Sequence, residues 1–168
     1  ATRPDVLISP SGSLIGAMTA EGRALTKARG EGFAARSWLE NDGDSTDQEG
    51  AAARMAQATN PQFDLPGLTL RLVSGRDAAD RLEGACAFEA LVIFAAKPLD
   101  RYPEGCNMLD RAALARTGAL AIRMTADGPR VTSVAQVSGN RPWTRADQTK
   151  TRRTQPAASD LPLLIARQ

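Results

Sequence analysis

The longest uninterrupted apolar run, Ala90 to Ala96, constrains the fold more than any other feature of the sequence. It is far too short to cross a bilayer, which takes about 20 residues as a helix. It reads instead as a buried strand, Leu91 to Ala95, at the centre of a sheet. The sequence around it supplies the rest of a mixed α/β domain. Leu68 to Val73 sets Leu68, Leu70 and Leu72 against Thr69, Arg71 and Val73, the alternation of a half-buried strand. Asp77 to Cys86 repeats Ala78, Leu82 and Cys86 at helical spacing. Asp110 to Thr117 reads as a short helix with Asp110 as N-cap and Gly118 as its stop. Ala119 to Thr125 and Arg130 to Val137, joined at Asp127-Gly128, read as a hairpin.

The first third of the chain opens with three short strands, Asp5 to Ser9, Ser13 to Thr19 and Arg23 to Ala28. The turn clusters Pro10-Ser11-Gly12 and Glu21-Gly22 separate them, so an antiparallel meander is expected, with the role of scaffold. A helix over Phe33 to Leu39 follows, then an acidic surface loop from Asn41 to Gly50. Alanine propensity predicts a second helix, Ala51 to Ala58, ending before Asn60-Pro61.

A length of 168 residues is one domain by the usual prior and enough to bury a core. Aromatic residues make up only 4%, so that core rests on Leu, Ile, Val and Ala. Charge divides the chain. Residues 140–168 carry six basic residues against two acidic, a net of +4, while the preceding 139 are nearly neutral. The expected organisation is one globular domain over 1–139 and a basic C-terminal tail over 140–168. The chain starts at Ala1, and Thr2-Arg3-Pro4-Asp5 reads as a linker entering a strand. A piece of a longer chain is expected, although loss of an initiator Met gives the same start.

No residue is histidine. Zinc hydrolases and Ser-His-Asp or Cys-His enzymes all need an imidazole as ligand or base, so these classes are excluded together. The phosphate-loop, dinucleotide, nucleophile-elbow and S-x-x-K patterns are missing too. Lysine, carboxylate and tyrosine chemistry stay open, but the balance moves toward a non-catalytic domain without a cofactor.

Three groups of residues carry chemistry worth weighing. Glu40, Asp42, Asp44, Asp47 and Glu49 offer oxygen ligands for a hard cation. As a calcium loop from Asp42 they fail, with Asp47 where Gly is needed and Ala53 where Glu is needed, and a solvated loop is the better reading. Cys86 and Cys106 are the only thiols, one at a helix end and one in the loop leaving the central strand. Those places can come within disulfide reach, and an even count suits an oxidising compartment. Free buried cysteines are also common packing residues. The tail segment with Arg141, Trp143, Arg145, Lys150, Arg152 and Arg153 combines cations with an indole, the raw material for phosphate contact plus base stacking in single-stranded DNA. Its plainer reading has Trp143 packing on the hairpin and the arginines keeping a tail solvated. Leu161, Leu163, Leu164 and Ile165 form a small apolar segment suited to docking on the body or a neighbour.

The order of short motifs carries a resemblance. Pro4-Asp5-Val6-Leu7-Ile8-Ser9, Gly12 and Glu21-Gly22-Arg23 are followed by Phe33-Ala34 and by Trp38-Leu39-Glu40-Asn41-Asp42-Gly43-Asp44. Cys86, Leu91-Val92-Ile93, Cys106, Leu109 to Leu114, Thr117 to Arg123 and Arg141-Pro142-Trp143 complete the series. Together they resemble the region after the membrane helices in alphaproteobacterial ComEC-type competence proteins. The resemblance implies a truncated metallo-β-lactamase-like sandwich on the periplasmic face of the inner membrane, joined to the membrane part of a longer chain that conducts single-stranded DNA. It also implies that the H-x-H-x-D-H metal cluster of that fold is lost, so no catalytic or metal-binding residue carries over. The cysteine pair fits such a placement. The expected role is a non-catalytic domain that supports channel assembly or guides DNA. A free-standing interaction domain unrelated to DNA, and an enzyme using carboxylates with a divalent cation, are the alternatives.

Overall fold

The computed structural model describes residues 3–56, 60–86 and 90–133. The chain forms β1 (Val6–Ile8), β2 (Ile15–Thr19), β3 (Gly22–Leu25), α1 (Gly32–Asp42), α2 (Gln48–Ala52), β4 (Gln62–Leu65) and β5 (Leu68–Ser74). It continues through α3 (Ala78–Ala85), β6 (Ala90–Ala95), β7 (Met108–Asp110), α4 (Arg111–Thr117), β8 (Leu120–Thr125) and β9 (Gly128–Ser133). The fold is mixed α/β with antiparallel-rich sheets.

The strands divide into two sheets, ordered β3-β2-β1-β8-β9 and β4-β5-β6-β7. Every pairing in the first is antiparallel. In the second, β4 is antiparallel to β5, while β5, β6 and β7 run parallel. The opening meander is therefore present, but its first strand sits in the middle of the sheet, flanked by a hairpin on each side. The two hairpins share a local design. In each, a Thr at the end of the first strand (Thr19 or Thr125) donates its hydroxyl to the carbonyl of the glycine that starts the next strand. That glycine, Gly22 or Gly128, sits at φ 117° or 112°, where a side chain would be strained. The turn of the second hairpin falls on Ala126-Asp127, one residue earlier than Asp127-Gly128, because Gly128 already pairs with Thr125.

The two sheets face each other across the main core. Alternate residues point inward: Val6 and Ile8 from β1, Leu68, Leu70 and Leu72 from β5, Leu91 and Ile93 from β6, Leu120 and Ile122 from β8. The residues between them point outward onto helices. Leu14 and Leu25 pack under Ala35, Trp38 and Leu39 of α1 and Ala51 of α2. Val73, Val92 and Phe94 pack with Ala78 and Leu82 of α3. This layering explains the apolar run. All six residues of β6 are buried, because one set faces the other sheet and the other set faces α3. Helix α4 adds Ala113 and Leu114 to the main core. Its N-cap is Asp110, whose Oδ1 accepts the Ala113 N–H at 2.9 Å, and Gly118 follows its last residue.

Two local expectations change. The stretch from Asn41 to Gly50 is not all loop, since α1 runs on to Asp42 and α2 begins at Gln48. The second helix does not span Ala51 to Ala58. Asp47 caps the Gly50 N–H and starts α2 early, and it stops at Ala52. Residues 57–59 lie outside the described residues, as does the end of the expected strand to Val137.

Candidate functional site

Helix α1 is pinned to the five-stranded sheet at both ends by charged groups. Glu31, just before its first residue, has φ 54°, the single left-handed non-glycine among the described residues. Its Oε1 accepts hydrogen bonds from the hydroxyls of Ser11 and, at 2.7 Å, Ser13, both in the turn after β1. The Lys27 ammonium donates to Ser13 Oγ at 3.2 Å. Buried Ser9 extends the group inward, accepting the Leu14 N–H through its Oγ. These hydroxyls, followed by the charges of Lys27 and Arg111, hold the Glu31 carboxyl below its ordinary value. The group sits over β6 and α4: a side chain at Gly12 would meet Leu114 Cδ1 at 2.7 Å and Ile93 Cγ2 at 3.0 Å. Ser11, Ser13 and Lys27 all spend hydrogen bonds inside the group, so it secures the turn and the helix start.

At the other end of α1, Arg23 of β3 is completely buried. Its Nε donates to Asp42 Oδ2 at 2.6 Å and its Nη2 to Asp42 Oδ1 at 3.1 Å, a two-pronged pair on the last residue of the helix. Nη1 donates to the Gly16 carbonyl at 3.3 Å, and Nη2 also to the Pro4 carbonyl at 3.1 Å. Gly16 is required there, because a Cβ would approach Arg23 Cδ to 2.8 Å. Nearby, Asp44 is paired with Arg54, whose Nη1 also donates to the Arg23 carbonyl at 3.1 Å. Hydrogen bonds from Arg54, then from the Thr46 backbone N–H, draw the Asp44 carboxyl below its ordinary value.

The three aspartates of the acidic series have structural tasks. Asp42 and Asp44 hold arginines and Asp47 caps α2. Among the described residues, no group of three or more acidic or cysteine side chains is arranged to hold a metal ion. Sequence reading did not single out Arg23, and nothing in Glu21-Gly22-Arg23 marks it as buried. Its burial follows from a strand register and a helix end brought together by the fold.

A cleft of about 480 Å³ opens beside Arg23 and Asp42, on the outer face of the five-stranded sheet. Helices α1 and α2 roof only the β1–β3 side of that face. The cleft is lined by Ala119, Ala121, Arg123 and Thr132 on the side of β8 and β9, by Trp38 and Asn41 of α1, and by Arg3. Leu7 and Ala121, paired across β1 and β8, also line it.

Cys86 and Cys106 are brought together. Their Cα atoms are 5.1 Å apart and their sulfurs are bonded, tying the end of α3 to the loop before β7 beside Val92, Phe94 and Tyr102. Arg141, Trp143, Arg145, Lys150, Arg152, Arg153 and the segment Leu161 to Ile165 lie outside the described residues. No helix among the described residues is long and apolar enough to cross a membrane. The chain matches no protein-family model, no curated protein and no solved structure.

Proposed function

We propose that this chain is a non-catalytic periplasmic part of a membrane DNA-uptake protein, keeping a metallo-β-lactamase-like scaffold without its metal chemistry. The reading rests on the ordered resemblance between Pro4 and Trp143. The observation that carries it is a sandwich of two facing sheets with helices on both outer faces, built by a chain with no histidine. A sandwich is the architecture that the resemblance implies, and the histidine-bound metal is the part it cannot contain. The Cys86–Cys106 bond supports an oxidising compartment. In this role the domain supports channel assembly or guides single-stranded DNA, with the membrane part of the same longer chain as its neighbour. The arginines and Trp143 of residues 141–153 supply further DNA contacts.

The test is genetic. Removing the codons for residues 1–168 in frame, while the shortened protein is still made and inserted, should abolish or strongly lower transformation by added DNA. An unchanged transformation frequency overturns the reading. The isolated chain is also expected to leave DNA intact in the presence of zinc, manganese or magnesium ions, scored by gel electrophoresis.

A further inference from the structure

We infer that the edge of β4 takes an extended acidic segment of a partner protein as an added strand, with its acidic side chains beside Arg71 and Arg81. Nothing in this surface depends on the DNA-uptake role.

The ladder fixes which backbone groups are left over. The Pro61 carbonyl accepts the Leu72 N–H at 3.0 Å, one step before Gln62 meets Arg71. Antiparallel pairs alternate between bonded and non-bonded, so Phe63 and Leu65 turn their backbone groups toward β5. The N–H and C=O of Gln62 and Asp64 then face away from β5, and β4 is the last strand of its sheet among the described residues. Side chains divide in the same rhythm. Phe63 and Leu65 are half-buried at the rim of the main core, while Gln62 and Asp64 are exposed. A strand added here would cover Phe63 and Leu65 with apolar side chains and place polar ones on the outer face.

Charge selects the partner. Between β4 and α3 the outer face holds a cleft of about 420 Å³, lined by Arg71, Arg81, Asn60 and Gln62 among others. Arg71 donates through Nε to Gln62 Oε1 at 3.1 Å and through Nη1 to the Ala85 carbonyl at 2.7 Å. Arg81 donates to Asn60 Oδ1 and to the Ser74 carbonyl. All these acceptors are neutral, and a guanidinium has more N–H groups than such bonds use. Both arginines therefore keep their charge and spare donors, and no acidic side chain lines the cleft among the described residues. Asp64, further along β4, takes the Gln62 amide and the Thr69 hydroxyl. An acidic side chain beside Gln62 or Asn60 would meet the arginines, whereas one beside Asp64 would be repelled. The preferred segment runs antiparallel to β4 and reads apolar, hydroxyl, apolar, acidic from Leu65 back to Gln62. A second copy paired edge to edge would bring more arginines to the same face, and residues 140–168 carry a net charge of +4. Both are poorer electrostatic matches.

A labelled peptide Val-Thr-Val-Glu-Val-Glu, titrated with the full 168-residue chain and followed by fluorescence anisotropy, tests this. It should bind, more weakly as salt rises, and amide exchange in β4 should slow in the complex. The Val-Thr-Val-Gln-Val-Gln counterpart should bind about tenfold more weakly, and Arg81→Gln should weaken binding of the acidic peptide to the same degree. Gly84→Glu offers the arginines an internal carboxylate, at a position where a Cβ meets no atom within 4 Å. It should weaken binding with no fall in the thermal midpoint. Asp64→Pro removes an N–H from the outer side of β4 alone, so it should abolish binding while the β4–β5 pairing persists. Equal binding of the two peptides, or unchanged binding by Gly84→Glu or Asp64→Pro, overturns the inference. So does failure of the acidic peptide to bind at low salt. Protection of β4 amides equal to that of β6 before any peptide is added overturns it too. The edge would then be filled by the chain itself or by a second copy, which the mass in solution distinguishes.

Discussion

Arg23, a buried guanidinium, places four hydrogen bonds on Asp42, Gly16 and Pro4. Such a pair is strongly destabilising to break and often neutral to replace as a whole, because the damage comes from the charge left behind. Arg23→Ala or Asp42→Ala should therefore cost about 3–5 kcal/mol in urea unfolding. The double replacement Arg23→Met/Asp42→Leu should cost much less than the sum of the two single changes. Asp44 gives a different signature. Its folded carboxyl lies below the ordinary 3.8, so its contribution to stability is present above that value and is lost as pH falls through the depressed one. Asp44→Asn should lower the thermal midpoint at neutral pH, and the gap from the unaltered protein should close in acid. A gap that stays constant down to the unfolding limit would remove the Arg54 pair as its source. None of these pairs was legible in the sequence. Asp42 and Asp44 were visible only as members of an acidic stretch, since an arginine partner 10 or 19 residues away is chosen by the fold.

Elements were most readable where one local cause decides them. α4 shows this well: Asp110 before an apolar-periodic stretch and Gly118 after it marked both ends. Asp110 is buried, caps the Ala113 N–H and accepts the Tyr102 hydroxyl at 2.9 Å. Asp110→Ala should cost about 2 kcal/mol, near the upper end for a lost cap, read from equilibrium unfolding. α2 shows the opposite case. Alanine propensity pointed to Ala51–Ala58, but a capping bond from Asp47 outweighed a few tenths of a kcal/mol per residue and moved the helix toward Gln48. β4 and β7 were missed for physical reasons. β4 is an edge strand whose residues are exposed or half-buried, so no apolar period marks it. β7 has three residues, and its last is also the cap of α4. The disulfide staples that region, closing a loop of 20 residues between α3 and β7. Cys86→Ser/Cys106→Ser should lose about 3 kcal/mol by the loop-entropy relation. Thiol titration of freshly isolated, denatured protein should find no reactive thiol.

At the scale of the molecule, the sequence showed which residues face a core but not which strands are neighbours. The alternation in Leu68 to Val73 and the apolar run at β6 are properties of one strand. The pairing of β1 with β8 joins residues more than 110 positions apart and leaves no local trace. That pairing decides the layering, because it brings the first and last hairpins into one sheet and leaves β4 to β7 to form the second. Stability should be distributed accordingly. β6 is hydrogen-bonded on both sides and covered on both faces, and β1 and β8 meet at the middle of the other sheet. By contrast, α2 is one short helix against β3, and β4 is an edge strand among the described residues. Amide hydrogen exchange should therefore be slowest in β5, β6, β1 and β8, approaching the global unfolding free energy, and fastest in β4 and α2. Equal protection in β4 and β6 would mean that β4 is no free edge and that a further strand pairs with it.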